Sequence, residues 1–184
     1  MDKTIIARWR DWSGNRTERL ILKENREGIH AESVIISKAI DNPFAARYEI
    51  VCDNKWHVKS VGVELLGEER KIGLTGDGKG NWSDESGARD ELRGAIDTDI
   101  TATPFTNTLP IRRLKLGNEQ SADIVTVYIH LPGLSITTDP QRYTFLEAGR
   151  LYRFESLDSD FARDIEVDAD GLVLTYPGLF KRFT

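Results

Sequence analysis

Apolar and polar positions alternate with a period of two in segment after segment of this chain, the pattern of strands that lay one face on a core. Ile5, Ala7 and Trp9 stand in phase against Ile6, Arg8 and Arg10, so the chain opens as a strand. Leu20 to Leu22 and Val34 to Ile36 are short apolar runs separated by the polar stretch Lys23 to Gly28, which predicts a hairpin connection. Tyr48, Ile50 and Cys52 alternate with Glu49, Val51 and Asp53. Past Asp53-Asn54, the residues Val61, Val63 and Leu65 share a face and complete a long hairpin. Ile72 and Leu74 lead into Gly76-Asp-Gly-Lys-Gly80, where Asp-Gly supplies the positive φ angles of a tight turn and Trp82 begins the return strand. The habit recurs at Val125, Val127 and Ile129, at Tyr143 and Phe145, and at Ile165 and Val167. No segment sustains a 3.6-residue stripe over three turns, which leaves helix a minor component. The pattern predicts a mainly β chain, a curved antiparallel sheet rolled into a half-barrel, forming one domain over residues 1–184.

One block departs from the alternation. In Thr103-Pro-Phe-Thr-Asn-Thr-Leu-Pro-Ile-Arg-Arg-Leu114 two prolines break any ladder, and Thr108 is placed to cap a short helix with Pro110 in its first turn. One or two helical turns are expected here. There is also a faint echo that suggests duplication: Tyr48, Asp53, Trp56, Val63 and Asp77-Gly78 are answered by Tyr152, Asp158, Phe161, Val167 and Asp170-Gly171.

Composition narrows the function. A net charge of −5 disfavours nucleic acid, whose affinity depends on basic surface that releases counterions. Nothing resembles an export signal, and no apolar run approaches the roughly 18 residues of a membrane span. Cys52 is the one cysteine, which fits a reducing compartment, and we expect a cytoplasmic protein. Its phase with Tyr48 and Ile50 makes it a small buried hydrophobe rather than a nucleophile.

The candidate chemistry is sparse. Gly76 to Gly80 lacks the following helix that a phosphate loop needs, and it reads as a hairpin turn. His30, His57 and His130 fall on separate strands without metal-ligand spacing, there is no Gly-x-Ser-x-Gly elbow, and no cofactor is indicated. Asp97-Thr-Asp99 puts two carboxylates on one face of a strand, where they would meet a cation or a sugar hydroxyl, or else form a solvated strand edge or pair with Arg112 or Arg113. The Thr103–Leu114 block has two readings as well. It is a rigid corner presenting Asn107, Arg112 or Arg113 to an anionic or hydroxyl-rich headgroup. Alternatively it is a plug of Phe105, Leu109, Ile111 and Leu114 whose arginines pair with Asp97 and Asp99.

With these strings in hand, the chain resembles a bacterial family named putative glycolipid-binding, formerly a domain of unknown function. The match runs in order through Trp9, Tyr48 to Asp53 and Trp56, Gly78 to Trp82, Asp97 to Ile100, Thr103 to Leu114, Gln141-Arg-Tyr143, Tyr152 to Ser156 and Asp168 to Gly178, over essentially the whole chain. The resemblance implies a spiral β-roll whose concave side holds an acyl chain or glycolipid, and it brings no catalytic residues. On that footing the first expectation is a carrier or sensor of a lipid or glycolipid. Trp56, Trp82, Tyr128, Tyr143 and Tyr152 are its wall candidates, and Asn107, Arg112 and Arg113 its headgroup candidates. The alternatives are an enzyme acting on a sugar or glycolipid through carboxylates such as Asp97 and Asp99, and a protein interaction module built on an exposed edge or patch. The two ligand readings part at an open cleft with two convergent carboxylates, one of them shifted toward neutrality.

Overall fold

The computed structural model describes residues 2–147 and 150–183. Eight strands run as one meander: β1 (Lys3–Asp11), β2 (Arg16–Asn25), β3 (Gly28–Ser37), β4 (Phe44–Cys52), β5 (Val58–Leu65), β6 (Arg70–Gly76), β7 (Trp82–Asp84) and β8 (Gly87–Ala88). Beyond a 3-10 turn at Asp90–Leu92 comes β9 (Asp97–Ile100), then a 3-10 turn at Phe105–Asn107 that runs into the helix α1 (Thr108–Leu114). A second meander follows: β10 (Ser121–His130), β11 (Ser135–Glu147), β12 (Leu151–Ser156), β13 (Ala162–Val167), β14 (Val173–Tyr176) and β15 (Phe180–Arg182). All fifteen strands form one curved, unclosed sheet ordered β8 to β1, then β15 to β9, so the first and last strands pair in its interior. Pairing is antiparallel except between β9 and β10, which run parallel because the chain crosses from one edge of the sheet to the other before β9.

Inward rows follow from the register. Trp9, Glu18, Ile35, Ala46 and Leu65 face each other across β1 to β5, as do Ala7, Leu20, Ser33, Tyr48 and Val63, and all ten are buried. The alternation read from the sequence therefore holds residue by residue. Strands β2 and β3 are longer than their apolar runs suggested. Only Arg26 and Glu27 make the turn, because the Asn25 side-chain oxygen accepts the amides of Glu27 (2.8 Å) and Gly28 (3.2 Å) and lets the ladder run to Asn25 and Gly28.

Three turns at one end of the roll share a design. Asp53, Asp77 and Asp168 each accept, on one carboxylate oxygen, the amides two and four residues ahead, at 2.7–3.1 Å. Three residues after each Asp the backbone takes a positive φ, at Trp56 (68°), Gly80 (95°) and Gly171 (77°). This turn accounts for part of the sequence echo, but the pairing differs: the counterpart of Asp53 is Asp77 or Asp168, not Asp158.

The block from Thr103 to Ile111 is buried throughout and fills the interior of the roll. Phe105 and Leu109 join the larger core with the inner faces of β1 to β6, β9 and β10. Ile111 joins a second core of Tyr143, Tyr152, Phe154, Ile165, Val167, Val173, Tyr176 and Phe180. The expected cap is corrected: Asn107 holds the N-cap position without a side-chain cap bond, while the Thr108 hydroxyl donates to the Gly171 carbonyl at 2.9 Å. Among the described residues no helix is long and apolar enough to cross a membrane.

Candidate functional site

The roll is not wholly filled. Strand β9 is enclosed on both faces, and its two carboxylates part company. Asp97 is fully buried and takes a bidentate ion pair from Arg113, whose Nη2 lies 2.5 Å and Nε 3.0 Å from it. Asp99, one row further, faces a cavity of about 350 Å³. The near wall is Asp99, Ile100, Thr101 and the start of the plug, Thr103 and Asn107. Tyr128 and Asp139 close one side, and opposite stand Phe154, Phe161, Tyr176 and Phe180, with Ser156, Ser159 and Leu179 at the loops.

Register explains why these residues meet. Tyr128 lies beside Asp99, and Thr126 pairs with Asp97 on one side and Asp139 on the other. A polar row thus crosses β9 to β11. Gln141 then pairs with Ser156, and Tyr143 with Phe154, so the row gives way to aromatic residues within one strand spacing. Phe154, Phe161 and Tyr176 pack on one another with ring centroids 5.9–6.5 Å apart, and Tyr176 on Phe180 at 6.4 Å.

The carboxylates are held without a cation. The Thr106 hydroxyl donates to Asp99 Oδ1 at 2.8 Å, and Gln141 Nε2 donates both to Asp99 Oδ2 (2.8 Å) and to Asp139 Oδ2 (2.7 Å). Among the described residues neither carboxylate forms an ion pair. Burial pushes the pKa of each upward, and the nearby Asp158 adds to the effect at Asp139. Burial and the two carboxylates push the Tyr128 phenol up to about 12, so it remains a donor at neutral pH. The cavity therefore offers anionic acceptors, hydroxyl donors and aromatic faces in one small volume. That set suits a neutral polyol with C–H faces, and it repels phosphate.

The residues singled out from the sequence are dispersed. Asn107 and Tyr128 line the cavity, and the Tyr143 hydroxyl stands behind, donating to Asn107 Oδ1 at 2.9 Å. Trp56 and Arg112 meet at the opposite end of the roll, where the guanidinium stacks 4.5 Å above the indole, pairs with Glu24 at 3.1 Å and donates to the Asp170 carbonyl. They border a second, polar cavity of about 500 Å³ with Asn25, Arg26, Asn54 and Lys115. Arg113 is committed to Asp97. Trp82 is a core residue whose indole N–H donates to the Ala95 carbonyl at 2.7 Å, and Tyr152 packs in the second core against Phe145. Cys52 is buried, and burial pushes its thiol pKa up. His30 and His57 sit against Glu49 and Asp53, and His130 lies edge-on to Tyr128.

Sequence reasoning missed Asp139, Gln141, Phe154, Phe161, Tyr176 and Phe180 as a group. Asp99 was visible through its spacing from Asp97, and both do point to one face. The divergence between them, one paired and one facing a cavity, is set by the plug.

Comparison with known proteins places these features in a family context. The family model described as "Putative glycolipid-binding" matches residues 6–182. The chain is similar to a DUF1089 family protein from Pseudomonas aeruginosa, known from a crystal structure, with 38% sequence identity over 92% of each chain and a TM-score of 0.83. No curated protein matches the chain.

Proposed function

The chain belongs to the putative glycolipid-binding family, and from that premise we propose that the Asp99 cavity holds the sugar headgroup of a glycolipid, the protein serving as a carrier or sensor. The observation that carries this reading is the pair of cation-free carboxylates, Asp99 and Asp139, set across a cavity from Phe154, Phe161 and Tyr176. Carboxylates accept hydrogen bonds from the hydroxyls of a sugar, and aromatic faces cover its C–H surfaces. The volume, about 350 Å³, lies near the lower end of the ~300–1,000 Å³ of ligand pockets and suits a headgroup alone. With the plug occupying the concave side, the acyl tail stays outside the roll. Asn107 and Tyr128 are headgroup residues in this scheme. A cytoplasmic setting fits the buried, unpaired thiol of Cys52.

The test is calorimetric titration of octyl galactoside and octyl glucoside, with octanol as control, into the wild type and the Asp99→Asn variant. Binding of a glycoside but not of octanol, weakened at least tenfold by the substitution, is the expected result. Equal uptake of octanol and glycoside would remove the headgroup assignment. Native mass spectrometry of gently purified protein, followed by solvent extraction, identifies any natural ligand.

A second reading rests on a specific observation: Asp99 and Asp139 converge on one Gln141 amide in a cleft, both with raised pKa, the arrangement in which one carboxyl keeps its proton and the other does not. An enzyme cleaving a glycosidic bond would release nitrophenol from nitrophenyl glycosides and lose that activity in Asp139→Asn. No release from any of a panel of such glycosides leaves the carrier reading alone.

A further inference from the structure

The two ends of the roll differ in chemistry. Strand polarity assigns the loops 12–15, 38–43, 66–69, 85–86, 131–134, 157–161 and 177–179 to one end, and the Asp53, Asp77 and Asp168 turns to the other. On the first end, five of these seven loops carry a large apolar side chain in solvent: Trp12 (55% exposed), Ile40 (96%), Leu66 (41%), Leu157 (44%) and Leu179 (38%). Among the described residues, none of the exposed large apolar side chains stands on a loop of the other end.

The apolar end is also the end at which the cavity opens. Leu179 lines the cavity and Leu157 follows Ser156, which lines it too. The Trp12 amide donates to the Leu179 carbonyl at 2.9 Å, and the Lys38 amide to the Asn15 carbonyl at 2.8 Å, which joins the Trp12 loop to the loop of Ile40. Leu66 is tied to the start of β4 by the hydrogen bond its amide donates to the Ala45 carbonyl at 2.8 Å.

We propose that this end docks on the surface of a lipid bilayer, the loop tips entering the interface around the mouth of the cavity while the headgroup is taken up. The proposal rests on the headgroup reading of the cavity and adds where that headgroup is met. Five separate apolar tips on the end at which the cavity opens suit a fluid surface, which closes around each tip, whereas a protein partner calls for a contiguous face. Trp12 has the amphipathic ring favoured at membrane–water interfaces. Charge points to the lipid class: the loops carry Asp41, Glu68, Glu69, Asp158 and Asp160 against Lys38, so anionic lipid offers no attraction. The surface is therefore a neutral one displaying uncharged sugar headgroups.

Trp9, Trp56 and Trp82 are buried, so Trp12 is the exposed indole and serves as the reporter. Vesicles of phosphatidylcholine, with and without monogalactosyldiacylglycerol, are tested by flotation, and brominated phosphatidylcholine is used to quench tryptophan fluorescence. The wild type should float with both and be quenched, more strongly with the galactolipid, and anionic phosphatidylglycerol should add nothing. Ile40→Asp with Leu66→Asp should lower the partition coefficient about a hundredfold, roughly tenfold for each apolar side chain kept out of the lipid. Trp12→Ser should lose the quenching. A wild type that neither floats nor is quenched overturns the proposal, as does a double variant that partitions unchanged. A concentration-dependent dimer that the double variant abolishes, without vesicle binding, overturns it in favour of a contact between copies. Octyl galactoside binding is measured in parallel. If it persists while vesicle binding is absent, docking fails and the headgroup reading stands; vesicle binding without glycoside binding reverses that result.

Discussion

Glu18 sits in an inward row of the sheet between Trp9 and Ile35, where an apolar side chain would be expected. One carboxylate oxygen accepts the hydroxyls of Tyr48 (2.7 Å), Ser33 (2.8 Å) and Thr103 (2.8 Å), and the other has no partner. Burial raises its pKa to about 7, against the pull of those three donors and of Arg16. Because the folded value exceeds the unfolded one, 4.5, the contribution to stability is full below pH 4.5 and is lost as pH rises toward 7. Glu18→Gln imitates the protonated acid, so urea unfolding should find it similar to wild type near pH 4.5 and more stable at pH 8, on the order of 3 kcal/mol. Asp99 is shifted in the same direction, so on the proposed headgroup reading glycoside affinity should fall with acidification at a pH above the usual carboxylate value of 3.8, and calorimetry at several pH values would locate the midpoint. Neither effect was legible in the sequence. The phase of Glu18 with Leu20 and Leu22 places it inward, but only the tertiary contact with Thr103 makes it buried and bonded.

The Asp-headed turns show how local sequence and long-range packing divide the work. Asp77-Gly78 was readable as a turn, and Asp170-Gly171 answered it in the sequence echo. The need for a positive φ at the fourth residue could be met by glycine at little cost, yet the first turn spends it on Trp56, whose indole lies under Arg112. The glycines are not equivalent. A Cβ on Gly80 would lie 2.9 Å from the Gly94 backbone, whereas one on Gly171 would lie 3.2 Å from the Arg112 side chain, which can yield by a few tenths of an ångström more readily than a backbone can. Both alanines should therefore destabilise by at least the ~1 kcal/mol of a left-handed alanine, Gly80→Ala by more than Gly171→Ala, measurable as shifts in denaturation midpoint. In the plug, the prolines announced a helical interruption and the apolar residues a packing role, but the pairing of Arg112 with Glu24 came from the curl of the sheet. Arg113→Ala leaves Asp97 buried without its partner and should cost about 3–5 kcal/mol in equilibrium unfolding.

At the scale of the molecule, alternation gave the strands and their inward faces, because a period of two is local. It did not give their partners. Nothing in the sequence pairs β1 with β15, or puts β9 inside the roll where its far face walls the cavity, since both depend on contacts between residues far apart in the chain. Every other neighbouring pair in the sheet is joined by at most a short connection or by the plug; the β1–β15 junction spans the chain, with Trp9 opposite Arg182 and the Trp9 indole donating to the Val173 carbonyl at 2.7 Å. That junction governs the order of assembly. Each meander can zip hairpin by hairpin at low entropic cost, but joining them closes a very long loop and must wait until both are formed. Interactions across it are then absent from the folding transition state. Trp9→Ala should accelerate unfolding strongly and leave the refolding rate nearly unchanged in a chevron analysis. Until that last step the inner edge of β1 is an open ladder, so a chain arrested before it would be the species that trades strands with its neighbours.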